Sequence, residues 1–154
     1  MSLGVKPTTV HTVITRLVEY LVPRLTDVQV LDGPSLSGNY KPVCLMIGWS
    51  DPDRPTATVT RRAPGGLSSN DIESWSLQCL VSAVDGSSND QACELARTKA
   101  AAVFTAVSDL VTSDMSLRGS CGVVTIGDHE WWQSPTANGI EATILFKLNG
   151  ESLL

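Results

Sequence analysis

The segment Ile72-Glu73-Ser74-Trp75-Ser76-Leu77-Gln78-Cys79-Leu80-Val81-Ser82-Ala83-Val84 decides the fold. Trp75, Leu77, Cys79, Val81 and Ala83 fall on one side, and Ser74, Ser76, Gln78 and Ser82 on the other. A period of two over this length marks a strand with one buried face. Leu80 is the one large apolar residue between Ser74 and Ser82 on the polar side, which predicts partial cover there too. Asp85-Gly86-Ser87-Ser88-Asn89-Asp90 stops the strand, and Ser88 with Gln91 three residues on fits a capping box. A helix over 90–111 follows, with Cys93, Ala96, Ala100, Val103, Val107 and Leu110 as its buried stripe. The small residues of its first half let its backbone approach a sheet closely.

Upstream, Val10, Val13, Ile14, Leu17, Val18 and Leu21 repeat at three and four, giving an amphipathic helix over 8–22. Pro7 suits its first turn and Pro23 ends it. Val28 to Leu31 is a short strand ended by Asp32-Gly33-Pro34, and 33–40 reads as a loop. The apolar run Pro42–Trp49 is a central strand covered on both faces. Ser50–Pro55 is a charged turn, Thr56–Arg62 a polar edge or hairpin arm, and 63–70 a Gly/Ser-rich loop. Downstream, Cys121–Ile126 is a short strand, and 128–133 a second arm or bulged extension. Residues 134–139 turn the chain into a last strand, with Ile140, Ala142, Ile144, Phe146 and Leu148 inward and Glu141, Thr143 and Lys147 outward. Helix, three strands, long strand, helix, two strands: the order specifies one α+β domain over 1–154, with 50–70 an extended loop or hairpin within it.

The chain of 154 residues supports one full core. Its charged fraction of 18% is below the about one quarter usual for a globular chain, which points to surface covered by copies of itself. Eleven Lys and Arg against sixteen Asp and Glu give a net charge of −5, with only Arg61-Arg62 adjacent, which speaks against gripping nucleic acid. Cys44, Cys79, Cys93 and Cys121 form no CxxC pair and read as buried free thiols of a reducing cytoplasm. No signal-peptide core opens the chain, and no run reaches the roughly 20 apolar residues of a membrane span, so a protein made and folded in the cytosol is expected.

The chemical motifs are incomplete. His129-Glu130 begins like HExxH, but the fifth residue is Gln133. Asp51-Pro52-Asp53 opens like a calcium loop, yet prolines follow and no glutamate stands at the twelfth position. Gly65-Gly66 lacks the lysine of a phosphate loop, and no serine sits in a GxSxG elbow. No catalytic residue, metal or cofactor is therefore expected. Trp131-Trp132 is different. Neighbours on a strand face opposite ways, so one indole can fill the core while the other needs a cover, supplied by a loop or a partner.

The element order resembles that of the tail terminator (tail completion) proteins of long-tailed bacteriophages. The residues that carry the resemblance are Val10–Leu21, Val28-Gln29-Val30-Leu31-Asp32-Gly33-Pro34, Trp75–Val81, the helix Asp90–Val111 and Asn138-Gly139-Ile140-Glu141-Ala142. The resemblance implies two helices packed on one side of a mixed or antiparallel sheet with a long polar hairpin or loop. It also implies a structural, non-enzymatic virion protein that forms a hexameric ring. Such a ring caps the tail tube, ends its polymerisation, and meets the head-tail connector or stopper protein. DNA would pass through without specific binding, which an acidic lumen suits. On this reading Asp51, Asp53, Arg54, Arg61, Arg62, Trp131 and Trp132 are the expected subunit or partner contacts. Removing 52–68 is expected to leave a folded monomer that neither oligomerises nor caps tails. The alternatives are another tail or neck protein (a tube subunit or head-completion protein) and a small cytosolic ligand-binding module. The last would need polar groups converging on a cavity.

Overall fold

A computed structural model describes residues 9–34, 42–62, 72–87, 90–113 and 124–153. It has two helices, α1 (Val10–Leu21) and α2 (Ala92–Ser113). Six strands form one sheet: β1 (Gln29–Asp32), β2 (Val43–Ile47), β3 (Ala57–Arg62), β4 (Ile72–Asp85), β5 (Val124–Thr136) and β6 (Gly139–Leu153). The order across the sheet is β1-β2-β4-β6-β5. β1 runs parallel to β2 and every other pair is antiparallel. The α+β expectation holds, with a mixed sheet.

β4 organises the rest. All fourteen of its residues have partners on β6, from Ile72↔Leu153 to Asp85↔Ile140. Its other edge is shared end to end by two strands, β2 opposite 79–83 and β3 opposite 72–77. Directly opposed residues of an antiparallel pair share a face, so the alternation of β4 propagates to its neighbours. Trp75, Leu77, Cys79, Val81 and Ala83 lie with Leu148, Phe146, Ile144 and Ala142 of β6 and Leu45 and Ile47 of β2 in one buried cluster. Both helices close that face: Val13, Leu17, Tyr20 and Leu21 come from α1, and Ala96, Ala100, Val103, Val107 and Val111 from α2. Tyr20 Oη donates to the Leu110 carbonyl at 3.2 Å and ties one helix to the other. Each fully buried Leu, Ile or Phe is worth about 1.5–3 kcal/mol, so this face carries the stability.

The opposite face is polar apart from a small cluster of Cys44, Met46, Leu80 and Leu145, with Leu31 and Trp49 against it. Leu80 thus finds the partial cover that its position predicts, and β2 is covered on both faces. The stripe of α2 departs from expectation at its start, where Ala92 is buried and Cys93 exposed; at its end Val111 is fully buried and Leu110 packs half-buried against the same cluster. Spacings of mostly four carry the stripe slightly past the 3.6-residue turn, and the last turn at each end rotates by one residue. Ser88 and Cys121 lie outside the described residues. The turn before β6 is tighter than expected: β5 runs on to Thr136, and Ala137-Asn138 alone reverse the chain.

Two carboxylates are buried on the helix-covered side, Asp85, which meets Lys99 of α2 at 3.4 Å, and Glu73. Glu73 has no exposed surface, yet its Oε1 accepts from the Thr9 main-chain N and hydroxyl, both at 2.7 Å, and its Oε2 accepts from Arg61 Nε at 3.1 Å. A buried charge is tolerated only with such partners. Here β4 supplies the cap that Thr9 does not provide for its own helix, since no Thr9 side-chain cap bond forms. Negative charge at a helix N-terminus is favoured by the helix dipole. Glu73→Ala is expected to lower unfolding free energy by about 2–4 kcal/mol in urea titration. A loss no larger than that of an exposed β3 substitution such as Thr60→Ala would contradict this role.

Candidate functional site

The polar face of the sheet has two irregularities, and both fall on one row. Pairing of β2 with β4 ends at Ile47↔Cys79, and pairing of β3 begins at Ala57↔Leu77. Residues 48–56 therefore stand opposite the single residue Gln78. Gly48, at φ +82°, turns the chain off the sheet in a conformation that few other residues adopt. Gly48 N and Trp49 N both donate to the Gln78 carbonyl at 2.9 Å, and Gln78 N donates to the Thr56 carbonyl at 2.9 Å. Pro52 and Pro55, which have no N–H to offer a ladder, fall inside this excursion. Its tip is a tight turn, closed by Asp51 N to the Arg54 carbonyl at 3.0 Å and by Arg54 N to the Asp51 carbonyl at 3.2 Å. Asp53 N donates to Asp51 Oδ1 at 2.8 Å, an Asx turn.

On the far side of the row, Ile126 pairs with Leu148 and His129 with Phe146, so Gly127 and Asp128 both oppose Lys147. Two residues against one make a β-bulge, which bends a strand and re-aims side chains. Lys147 is itself the partner of Gln78. The row Gln78–Lys147 is thus flanked by an excursion on one side and a bulge on the other. Between them lies a cleft of about 310 Å³, with Gln78, Ser76 and Lys147 on the sheet, Arg54 from the excursion and Asp128 and Glu130 from β5. A shallower groove of about 410 Å³ continues along the same face, sharing Thr58 and Ser76 and reaching Asn149 and Glu151.

Arg54 ties the two walls together. Its guanidinium donates to Asp51 Oδ2 at 3.1 Å and to Glu130 Oε2 at 3.0 Å, and lies 5.2 Å from the centre of the Trp132 ring. On the helix side, Gln133 Nε2 donates to the Cys93 carbonyl at 2.8 Å, and Arg97 reaches Gln133 Oε1 at 3.3 Å. His129 stacks near Phe104 at 4.9 Å and Trp131 at 6.4 Å. The β5 arm is therefore held from both faces.

Of the residues expected at a contact surface, Asp51, Asp53, Arg54 and Trp132 come together. Arg61 does not: it faces the helix side, where it pairs with Glu73. Arg62 stands 3.5 Å from Glu151, away from the cleft. Trp131 and Trp132 take opposite faces as the alternation requires, but neither fills the core, at 39% and 44% exposed. β5 is the last strand of the sheet, so although Trp131 opposes the core residue Ile144, its indole lies at the margin of the cluster with no further strand beyond it among the described residues. Within 50–70, residues 57–62 are a strand paired with β4, and 63–70 lie outside the described residues. A deletion of 52–68 would remove all six β3–β4 pairs and the Arg61 partner of buried Glu73; it is no local lesion. Sequence reading missed Gln78, Lys147, Asp128 and Glu130. Their types were visible, but their meeting depends on which residues of 48–56 and 127–128 leave the ladder.

Among the described residues, no group of three or more His, Cys, Asp or Glu is placed to hold a metal ion. No helix there is long and apolar enough to cross a membrane. Cys44 and Cys79 are buried free thiols, whereas Cys93, expected on the buried stripe, is exposed. Burial pushes the Cys79 thiol up to about 12, and burial together with the negative charge of Glu141 pushes Cys44 up to about 11. No family model matches the chain, and no curated protein matches it in sequence.

Two outcomes follow from this geometry. Arg54→Ala breaks exposed ion pairs worth about 0–1 kcal/mol each, so stability should change little while Trp132 becomes more accessible to acrylamide quenching. Unchanged quenching would show that Arg54 does not hold the arm. Below pH 9.0, the ordinary thiol value, alkylation of the native protein should modify Cys93 and spare Cys44 and Cys79. The unfolded chain ionises these two thiols near 9.0 while the folded one keeps them protonated. Their contribution to stability is therefore complete below 9.0 and declines as pH rises through about 11 and 12. Peptide mass mapping that finds Cys79 alkylated as fast as Cys93 would contradict it.

Proposed function

We propose that this chain is a structural virion protein of the tail-terminator kind. Copies of it form a ring that caps a tail tube, stops its growth and joins it to the head connector. The order of elements motivates the reading, and one structural observation gives it a surface. β5 is a thirteen-residue strand at the end of the sheet, with no strand on its outer edge among the described residues. Long open edges invite pairing with another chain, and natural proteins cover or blunt them. This one carries two half-exposed indoles, on opposite faces, beside the ion pairs of Arg54. Tryptophan and arginine are the residue types that dominate interface energetics. A contact between this edge and a different surface of the next copy is heterologous, and such contacts close into rings when the rotation allows.

The chain's net charge of −5 suits a ring through which DNA slides, because phosphate is not held. On this reading Asp51, Asp53, Arg54, Trp131 and Trp132 contribute to subunit or tube contacts, and Arg61 acts through Glu73 as a fold residue. The ring itself, six-membered by resemblance, is also the part of the proposal most directly open to a test.

Electron microscopy of the purified protein mixed with phage tail tubes is the decisive experiment. Rings, or density at one end of tubes of uniform length, are expected, and their loss in a Trp131→Ala/Trp132→Ala double variant that remains folded by circular dichroism. A monomer that ignores tubes would overturn the proposal, and unlimited tubes of the protein itself would reassign it as a tube subunit.

A further inference from the structure

The cleft on the polar face contains an unmet hydrogen-bonding group. Gln78 is 4% exposed, and its Nε2 is buried with no hydrogen-bond partner among the described residues. A buried amide donor without a partner costs about 1–3 kcal/mol, and its main-chain groups are already spoken for by Gly48, Trp49 and Thr56. The side chain lies on the sheet floor of the cleft, next to Lys147, its partner across the ladder. Lys147 makes no ion pair among the described residues, and its side of the row is opened by the bulge. Ser76 and Thr58, opposed in register on the same face, add two hydroxyls. The floor is thus a patch of donors: an amide, an ammonium and two hydroxyls, a set that fits a carboxylate.

The walls have the opposite character. Asp53 and Asp128 line the cleft without ion pairs among the described residues, while Glu130 is engaged by Arg54. A simple anion entering past two free carboxylates meets repulsion, and a simple cation finds donors on the floor. A molecule carrying both charges satisfies both. The volume also constrains it: at the roughly 30 Å³ that one water occupies in liquid, the cleft of about 310 Å³ holds a ligand of amino-acid size.

We propose that the cleft between the 51–55 turn and the bulged β5 arm binds a small amino-acid-type zwitterion. Its carboxylate is seated on Gln78 Nε2 and Lys147, and its ammonium is turned to Asp53 and Asp128. Two irregularities on one row of an otherwise regular ladder build this site, and neither contributes a side chain to the buried helix-covered cluster. The site shares Asp53 with the proposed contact surface, but its test needs only the single chain and stands or falls without the ring.

The test uses the full chain, labelled with nitrogen-15, and follows the side-chain amide resonances of Gln78. Glycine, β-alanine and 4-aminobutyrate vary the distance between the two charges; acetate and methylammonium each carry one. At least one zwitterion should shift the Gln78 amide pair saturably, with a Kd at least about tenfold below that of either half-ligand, a difference of about 1.4 kcal/mol. Lys147→Met, at an exposed position, should weaken binding by about tenfold or more without altering the rest of the spectrum. Gln78→Leu should abolish it, and because Gln78 is buried, the Lys147 variant keeps the test decisive if the Leu variant fails to fold. Absence of a saturable shift with every zwitterion would overturn the proposal. So would acetate binding as well as the zwitterions, or Lys147→Met leaving the affinity unchanged.

Discussion

The structure depends on the continuous pairing of β4 with β6. Fourteen consecutive residue pairs leave no freedom in which side chain faces which way. A one-residue slip would bring Ser74, Ser76, Gln78 and Ser82 against both helices and put Trp75, Leu77 and Cys79 in water. The buried set includes Phe146, Leu77, Ile144 and Leu148, all essentially without exposed surface. At about 1.5–3 kcal/mol each, these outweigh the exposed ion pairs at about 0–1 kcal/mol, and the register is locked by the core. Close approach adds to this at Gly150, where any side chain would run into the Trp75 ring. The indole can then lie flat against the neighbouring strand and donate to Ser152 Oγ at 3.3 Å.

Because the helices close only one face, the other is free to depart from regularity. The excursion at 48–56 and the bulge at 127–128 cost ladder bonds, but none of their residues belongs to the main buried cluster. Together they turn a flat polar sheet into a cleft with a donor floor and carboxylate walls. Arg54 then spans the opening, bonded to Asp51 on its own turn and to Glu130 on the arm. The edge strand that carries the arm is also the most exposed long element of the fold, since ten of its thirteen residues are exposed. Stability and surface function are therefore divided between the two faces. Glu73 departs from this division, a fully buried polar group on the helix side whose partners, Thr9 and Arg61, join α1 and β3 to β4.

The sequence by itself determined the class and the order of elements. Alternation in 72–84 and 140–148 and the three-and-four spacing in 10–21 are local signals, repeated often enough that burial fixes them. Leu80 disclosed the partly covered second face because a single large residue breaks a polar row. Trp131 and Trp132 disclosed opposite faces because adjacent strand residues have no other choice. The strand order, the sharing of one β4 edge by β2 and β3, and the choice of Ala92 over Cys93 at the start of α2 were decided only by tertiary structure. Pairing joins residues far apart in the chain, and local pattern does not encode which strand lies beside which. The same reason hid the cleft. Gln78 and Lys147 are ordinary outward residues in their own strands, and only the register that opposes one to an excursion and the other to a bulge makes them neighbours in a site.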